Sequence, residues 1–202
     1  MVDDDDAALP AGQVGNVQVQ GPNVFAGYWH RPELRAVEFT SDGWFRTGDL
    51  GRLDADGYLE IVGRAKDLVI TGGLNVYPKQ VEQALMELDG VADCAVVGLP
   101  DADLGERVVA VVVAAPGTML DPADLRDALR TSLAGYKVPK QVFLAPSLPR
   151  NTMGKVEKAR LRQSLLAPWS PRLCLDTRTE LRENSFVSRW PPAGTVGPMA
   201  GA

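Results

Sequence analysis

The chain has 202 residues, 45% of them hydrophobic and 23% charged, which is the composition of an ordinary globular protein of one domain or two small ones. Its net charge of −5 argues against a dedicated nucleic-acid surface, which needs a dense cluster of Lys and Arg. No run of apolar residues reaches the length of a membrane span, and the start, Met1 followed by Val2 and Asp3 to Asp6, is acidic where a leader is basic. A cytoplasmic location is the expectation.

Residues 3–12 are acidic and rich in Ala, Gly and Pro, so they suit a loop. Val14, Val17 and Val19 alternate with polar residues, the period of a half-buried strand, and Gly21-Pro22-Asn23 closes it with a turn. Arg31 to Phe39 suits a short helix opened by Pro32. Asp42-Gly43 and Asp56-Gly57 each precede an aromatic-bearing strand, a hairpin signature. This first section has little apolar mass for a core of its own. Its single histidine, His30, has no neighbouring Cys, Asp or His and reads as a surface residue.

The pattern changes after Gly63-Arg64. Leu68-Val69-Ile70 predicts a strand and Gly72-Gly73 a flexible turn. From Pro78 to Leu88, the apolar Val81, Ala84, Leu85 and Leu88 fall at helical spacing, with Glu82, Gln83 and Glu87 on other faces. Val91–Leu99 and Val108–Ala114 are continuous apolar runs suited to strands buried on both faces, and Cys94 in the first predicts an inert, buried thiol. Asp121-Pro122 is a helix start with an N-cap acid and Pro at the first position. Val142-Phe143-Leu144 predicts a strand, and Glu157 to Leu166 a last helix. From Pro168 the chain is rich in Pro, Arg, Ser and Gly without periodicity, and disorder is the expectation there. The division is therefore a β-rich section at 1–64, a compact α/β (α+β) domain at 65–167 with a short mixed sheet packed by helices, and a tail at 168–202.

Three clusters carry candidate chemistry. In Thr47-Gly48-Asp49, a carboxylate at a Gly-flanked turn could hold two vicinal hydroxyls, or it could close an Asx-turn on nearby backbone N–H groups. In Gly63 to Pro78, charged Arg64, Lys66 and Asp67 precede a strand and Gly72-Gly73 follow it. This is either a solvated linker with a tight turn or a segment whose backbone approaches a ligand closely. In Pro149 to Val156, Lys155 sits beside Gly154 in a loop, as a surface lysine or as a cation placed to stabilise developing negative charge. The last is not a Walker-type phosphate loop, and no metal-ligand spacing occurs in the chain.

Together with Gly21 to Trp29, these blocks in this order resemble the adenylate-forming superfamily of acyl-CoA synthetases, aryl-CoA ligases, luciferases and peptide-synthetase adenylation domains. The resemblance covers about residues 12–167, and the wording of Lys66 to Lys79, with that of Gly21 to Phe25, is most similar to malonyl-CoA synthetases, with medium-chain fatty acyl-CoA and 4-coumarate-CoA ligases as close alternatives. It implies an AMP-forming acid–thiol ligase of acyl or fatty acid metabolism, in which a carboxylate attacks Mg-ATP and the thiol of CoA then displaces AMP. The residues would be the mobile C-terminal lid, preceded by the end of the large domain.

By the same resemblance, Asp49 would bind the ribose hydroxyls and Arg64 the nucleotide. Lys66 would be the hinge, Lys155 the adenylation lysine, and Gly72 and Gly73 the lining of the pantetheine tunnel. ATP with Mg2+ and CoA are the implied substrates, with malonate as the acid and a separate N-terminal half as a possible partner. Two alternatives stand beside this: a lid-like module that binds another adenylating enzyme, and the end of a peptide-synthetase adenylation domain. The phosphate loop and the acidic Tyr-Gly segment of the family are missing, and Asn16 stands where an acid is common. The expectation is a truncated chain that does not form adenylate by itself.

Overall fold

A computed structural model describes residues 1–166, and the tail expectation at 168–202 lies outside the described residues. The elements run β1 (Gly15–Val19), α1 (Pro32–Glu38), β2 (Phe45–Leu53), β3 (Leu59–Arg64), a 3-10 turn (Ala65–Asp67), β4 (Val69–Thr71), β5 (Leu74–Val76) and α2 (Pro78–Met86), then β6 (Val91–Asp101), β7 (Gly105–Ala114), α3 (Pro122–Ser132), β8 (Gln141–Leu144) and α4 (Lys158–Leu166). The mixed α/β expectation holds.

The first section is a three-stranded antiparallel sheet in the order β1-β2-β3. Its buried apolar residues are only Val17, Phe39 and Leu50, as the thin hydrophobic pattern implies. Phe25, Phe39 and Phe45 add edge-on ring contacts 5.0–5.6 Å apart that pin the loop after β1 to the start of β2.

The second section is a five-stranded sheet in the order β5-β4-β7-β6, with β8 also on β7. β6 and β7 form a long antiparallel hairpin from Val91↔Ala114 to Asp101↔Gly105. The other edge of β7 is divided end to end. β4 takes it at Gly105, and β8 takes it in parallel from Val109 to Val112. Alternate side chains of the hairpin feed two separate cores. Val96, Val108, Ala110 and Val112 join Val81 and Leu85 of α2 and Leu125 and Leu129 of α3. Ala95, Val97, Val109 and Val111 face the other way and join Leu161 of α4. The unbroken apolar runs are thus explained by helices on both faces of an antiparallel pair, a situation more usual for parallel sheets.

Three local readings change. β5 was not anticipated, because Leu74–Val76 is three residues long with a polar centre. The Gly72-Gly73 pair, expected as a flexible turn, is the two-residue loop of the β4–β5 hairpin, with φ of +56° and +77°. Positive φ at both positions is the I′ geometry that matches strand twist, so glycine is favoured there on backbone grounds over any residue but Asn or Asp. Asp49, expected at a turn, lies within β2. The register to β1 passes from Asn16↔Leu50 to Gln18↔Arg46, so Thr47, Gly48 and Asp49 bulge opposite the single residue Val17, with Gly48 at φ +72°.

Candidate functional site

The bulge aims Asp49 at the neighbouring strand. Asp49 and Arg64 are register partners across β2 and β3, and Arg64 Nε meets Asp49 Oδ1 at 2.7 Å. Arg64 Nη1 also donates to the Thr47 carbonyl at 3.3 Å, so the guanidinium braces the bulge. The Asx-turn reading is corrected: the carboxylate takes Arg64 instead of nearby backbone N–H groups, and it is Thr47 Oγ1 that accepts the Asp49 N–H, at 3.0 Å. Asp49, Arg64 and Lys79 line a cleft of about 270 Å3 where the first sheet meets α2. There Lys79 Nζ donates to the Ile61 carbonyl at 2.9 Å and ties α2 to β3.

A second cleft, of about 500 Å3, opens between the 3-10 turn, the Val96–Gly98 stretch of β6 and the root of α4. Lys66 and Lys155 both line it. Lys66 sits in the turn that joins the two sheets, between β3 and β4. Lys155 closes a small hairpin whose shape is set by Asn151. The Asn151 side-chain carbonyl accepts from the Met153 N–H at 3.0 Å and the Lys155 N–H at 2.9 Å, and the Asn151 backbone N–H donates to the Lys155 carbonyl at 2.9 Å. Among the described residues no ion pair engages either lysine. Asp67 and Lys158 line both clefts, which are therefore neighbours. Gly72 and Gly73 line neither, and a Cβ at Gly73 would meet open space.

Sequence reasoning missed four charged residues around these clefts. Glu82 of α2 accepts from the Val96 N–H at 2.8 Å and pairs with Lys158 at 2.7 Å. Glu106 of β7 accepts from the Ile70 N–H at 3.2 Å and pairs with Arg162 at 2.5 Å. No sequence signal marks them, since each partner lies 14 to 76 positions away. Cys94 is buried as expected, and burial, reinforced by the charges of Glu82 and Asp93, pushes its thiol up to about 12.

Among the described residues no group of three or more His, Cys, Asp or Glu is arranged to hold a metal ion. No described helix is long and apolar enough to cross a membrane.

Residues 80–155 match the AMP-binding enzyme C-terminal domain family. The chain is 48% identical over 155 residues to a feruloyl-CoA synthase of Amycolatopsis, covering 77% of this chain and 31% of that protein. It is 45% identical over 157 residues to a sulfoacetate–CoA ligase of Cupriavidus necator, covering 78% and 31%. Among solved structures, ATP-bound MatB from Rhodopseudomonas palustris superposes with a TM-score of 0.76 at 50% identity, over 81% of this chain and 32% of that one. The chain thus spans about a third of the length of the relatives it matches.

Proposed function

For a chain that belongs to the adenylate-forming, AMP-binding enzyme family through its C-terminal domain, we propose that it serves as the lid of an AMP-forming acyl-CoA ligase. In this reading residues 65–167 are the lid and residues 1–64 are the end of the large domain against which it turns. The observation that carries the reading is the placement of two unpaired lysines, Lys66 and Lys155, on one cleft beside the Asp49–Arg64 pair.

The chemistry follows from the charges. In the first step a carboxylate oxygen attacks the α-phosphorus of ATP, the bond to the β-phosphate bridge breaks, and pyrophosphate leaves. Two anions must meet, and a cation between them lowers the barrier; an unpaired, exposed Lys155 can be delivered there. Asp49 retains a free carboxylate oxygen beyond its bond to Arg64 and can accept from ribose hydroxyls, while Arg64 lies within reach of the same nucleotide. In the second step the thiolate of CoA attacks the acyl carbon and AMP departs. Lys155 is then not needed, and rotation at Lys66, in the short link between the sheets, would withdraw it. Gly72 and Gly73 would then flank the pantetheine path. Mg2+ belongs to the Mg-ATP substrate, and no described residue is assigned to bind it.

Malonate is the acid we would try first. Relatives named for acids as unlike as ferulate and sulfoacetate share this section at similar identity, so acid choice lies outside it. A separate N-terminal half and a cytoplasmic location complete the reading.

The test is AMP release by the purified chain with ATP, CoA and malonate, with and without the N-terminal half of a related synthetase. Release in the mixture that disappears with Lys155→Ala is the expected result. A mixture that is silent, or that Lys155→Ala leaves unchanged, refutes the lid reading in favour of a binding module.

A further inference from the structure

Helix α4 follows the Lys155 hairpin after only two residues, so whatever fixes α4 also fixes the root of that hairpin. Leu161 is the helix's one fully buried residue, and only the partly buried Leu165, one turn later, joins it on the same core. Two apolar contacts on one line leave the helix free to roll about that line, and a helix of nine residues has little stability of its own. Two carboxylates remove this freedom. Glu82 receives Lys158 at the first residue of α4, and Glu106 receives Arg162 one turn later. Both carboxylates are themselves fixed by backbone. Glu82 caps the Val96 N–H of β6, and Glu106 caps the Ile70 N–H of β4. Charge-assisted hydrogen bonds of this kind hold geometry better than a pair of flexible side chains alone.

The placement is specific to the clefts. Lys158 lines both of them, Glu82 lines the one with Asp49 and Arg64, and Arg162 lines the one with Lys66 and Lys155. Ile70 lies three residues beyond Asp67, the end of the turn that contains Lys66. Glu106 therefore joins the strand leaving that turn to the helix leaving the Lys155 hairpin. Gly98 makes room for it, since a Cβ there would come within 2.9 Å of the Glu106 carboxyl.

We propose that Glu82 and Glu106 are positioning residues that clamp α4 at Lys158 and Arg162 and so set the Lys155 hairpin relative to the Lys66 turn. The catalytic consequence rests on the lid reading of Lys155; the clamp itself does not. The pair makes the strand after Lys66, the sheet and the Lys155 hairpin one rigid body, so a rotation at the turn is delivered at Lys155 without slack.

Lys158→Met and Arg162→Met remove the cations and leave both carboxylates on their backbone N–H groups, and Lys158→Arg retains the charge. Amide hydrogen exchange of the full chain is the first readout. In Lys158→Met the Asn151 and Glu157 amides at the hairpin root should exchange roughly fivefold faster, with Val109 and Val111 in the core unchanged and Lys158→Arg restoring protection. Unchanged hairpin amides, or core amides accelerating in proportion, overturn the clamp. The second readout is AMP release in the mixture with an N-terminal half. There kcat should fall several-fold with KM for ATP unchanged, and Lys158→Arg should recover it. A rise in KM for ATP with kcat unchanged, or no recovery, overturns the positioning role. If the unsubstituted mixture releases no AMP, the lid reading fails while hydrogen exchange still decides the clamp.

Discussion

Replacing Gly98 by alanine isolates one half of the clamp with a single methyl group. Its Cβ would approach the Glu106 carboxyl carbon and Oε2 to 2.9 Å and Oε1 to 3.0 Å, so the carboxylate must move. Moving it loosens the pair with Arg162, whose side chain is 41% exposed; solvent screening limits that loss to about 0.2–1 kcal/mol. It also removes the acceptor of the Ile70 N–H. Ile70 is 51% exposed and water can replace the carboxylate, so this costs about 1 kcal/mol. Alanine in place of glycine returns about 0.4–1 kcal/mol by restricting the unfolded chain. The net expectation is a destabilisation of about 1 kcal/mol, a fall in Tm of about 2–4 °C for a chain of this size.

The decisive measurement is a double-mutant cycle followed by far-UV circular dichroism. In a Glu106→Ala background the methyl group meets no carboxylate, and Gly98→Ala should be neutral or stabilising. A penalty of the same size in both backgrounds refutes the contact between Gly98 and Glu106 as the reason for glycine at this position.

Other perturbations test other layers. Asp121→Ala removes the acceptor of the Ala123 N–H at the start of α3 and should cost about 0.5–2 kcal/mol, read as a lower urea midpoint. Gly72→Ala forces a β-carbon into φ +56° and should cost about 1–2 kcal/mol, whereas Gly72→Asn, which tolerates that region, should cost much less. If Gly72→Asn keeps its Tm but loses activity in the AMP-release mixture, strain is ruled out as the cause and the proposed passage of the thiol past Gly72 is supported. Cys94 should resist alkylation at pH 8 in the folded chain and react on unfolding, with peptide mapping separating it from Cys174. Burial pushes its folded thiol up to about 12, well above the ordinary thiol range, so the unfolded state ionises first. The stability tied to the neutral thiol is present below pH 9 and is lost as pH rises towards 12. Cys94→Ala should flatten that part of the stability–pH curve.

The fold was legible where burial is one-sided or complete. The apolar runs holding Ala95, Val96, Val97, Val108, Val109 and Val111 suit strands covered on both faces, and Asp121-Pro122 suits a helix start; the structure has both. Legibility ended where geometry depends on a partner strand. Gly48 reads as a turn because glycine permits positive φ, but a bulge needs the same φ, and only the register to Val17 separates the two. Gly72-Gly73 posed the opposite problem. The turn was evident, yet the hairpin was not, because β5 is too short to show a period.

The site divides in the same way, and the division has a physical reason. Lys66 and Lys155 stand in short segments with recognisable local wording, whereas Glu82 and Glu106 draw their meaning from Lys158, Arg162 and two distant backbone N–H groups. Four cations line the 500 Å3 cleft, and their pairing sorts them. Lys158 and Arg162 are neutralised in place, so they fix α4 without adding to the field of the cleft. Lys66 and Lys155 keep their charge available. Were all four unpaired, the isolated cleft would attract any phosphate in solution and hold Lys155 there, away from the carboxylate and α-phosphate that the lid reading has it bridge. Lys158→Met with Arg162→Met leaves the Glu82 and Glu106 carboxylates uncompensated behind the cleft wall, where their charge would draw Lys155 inward. The double variant should therefore lose more AMP release than the two single losses multiplied together, and a simply multiplicative loss would show that the pairs act as independent fasteners with no electrostatic share in the site.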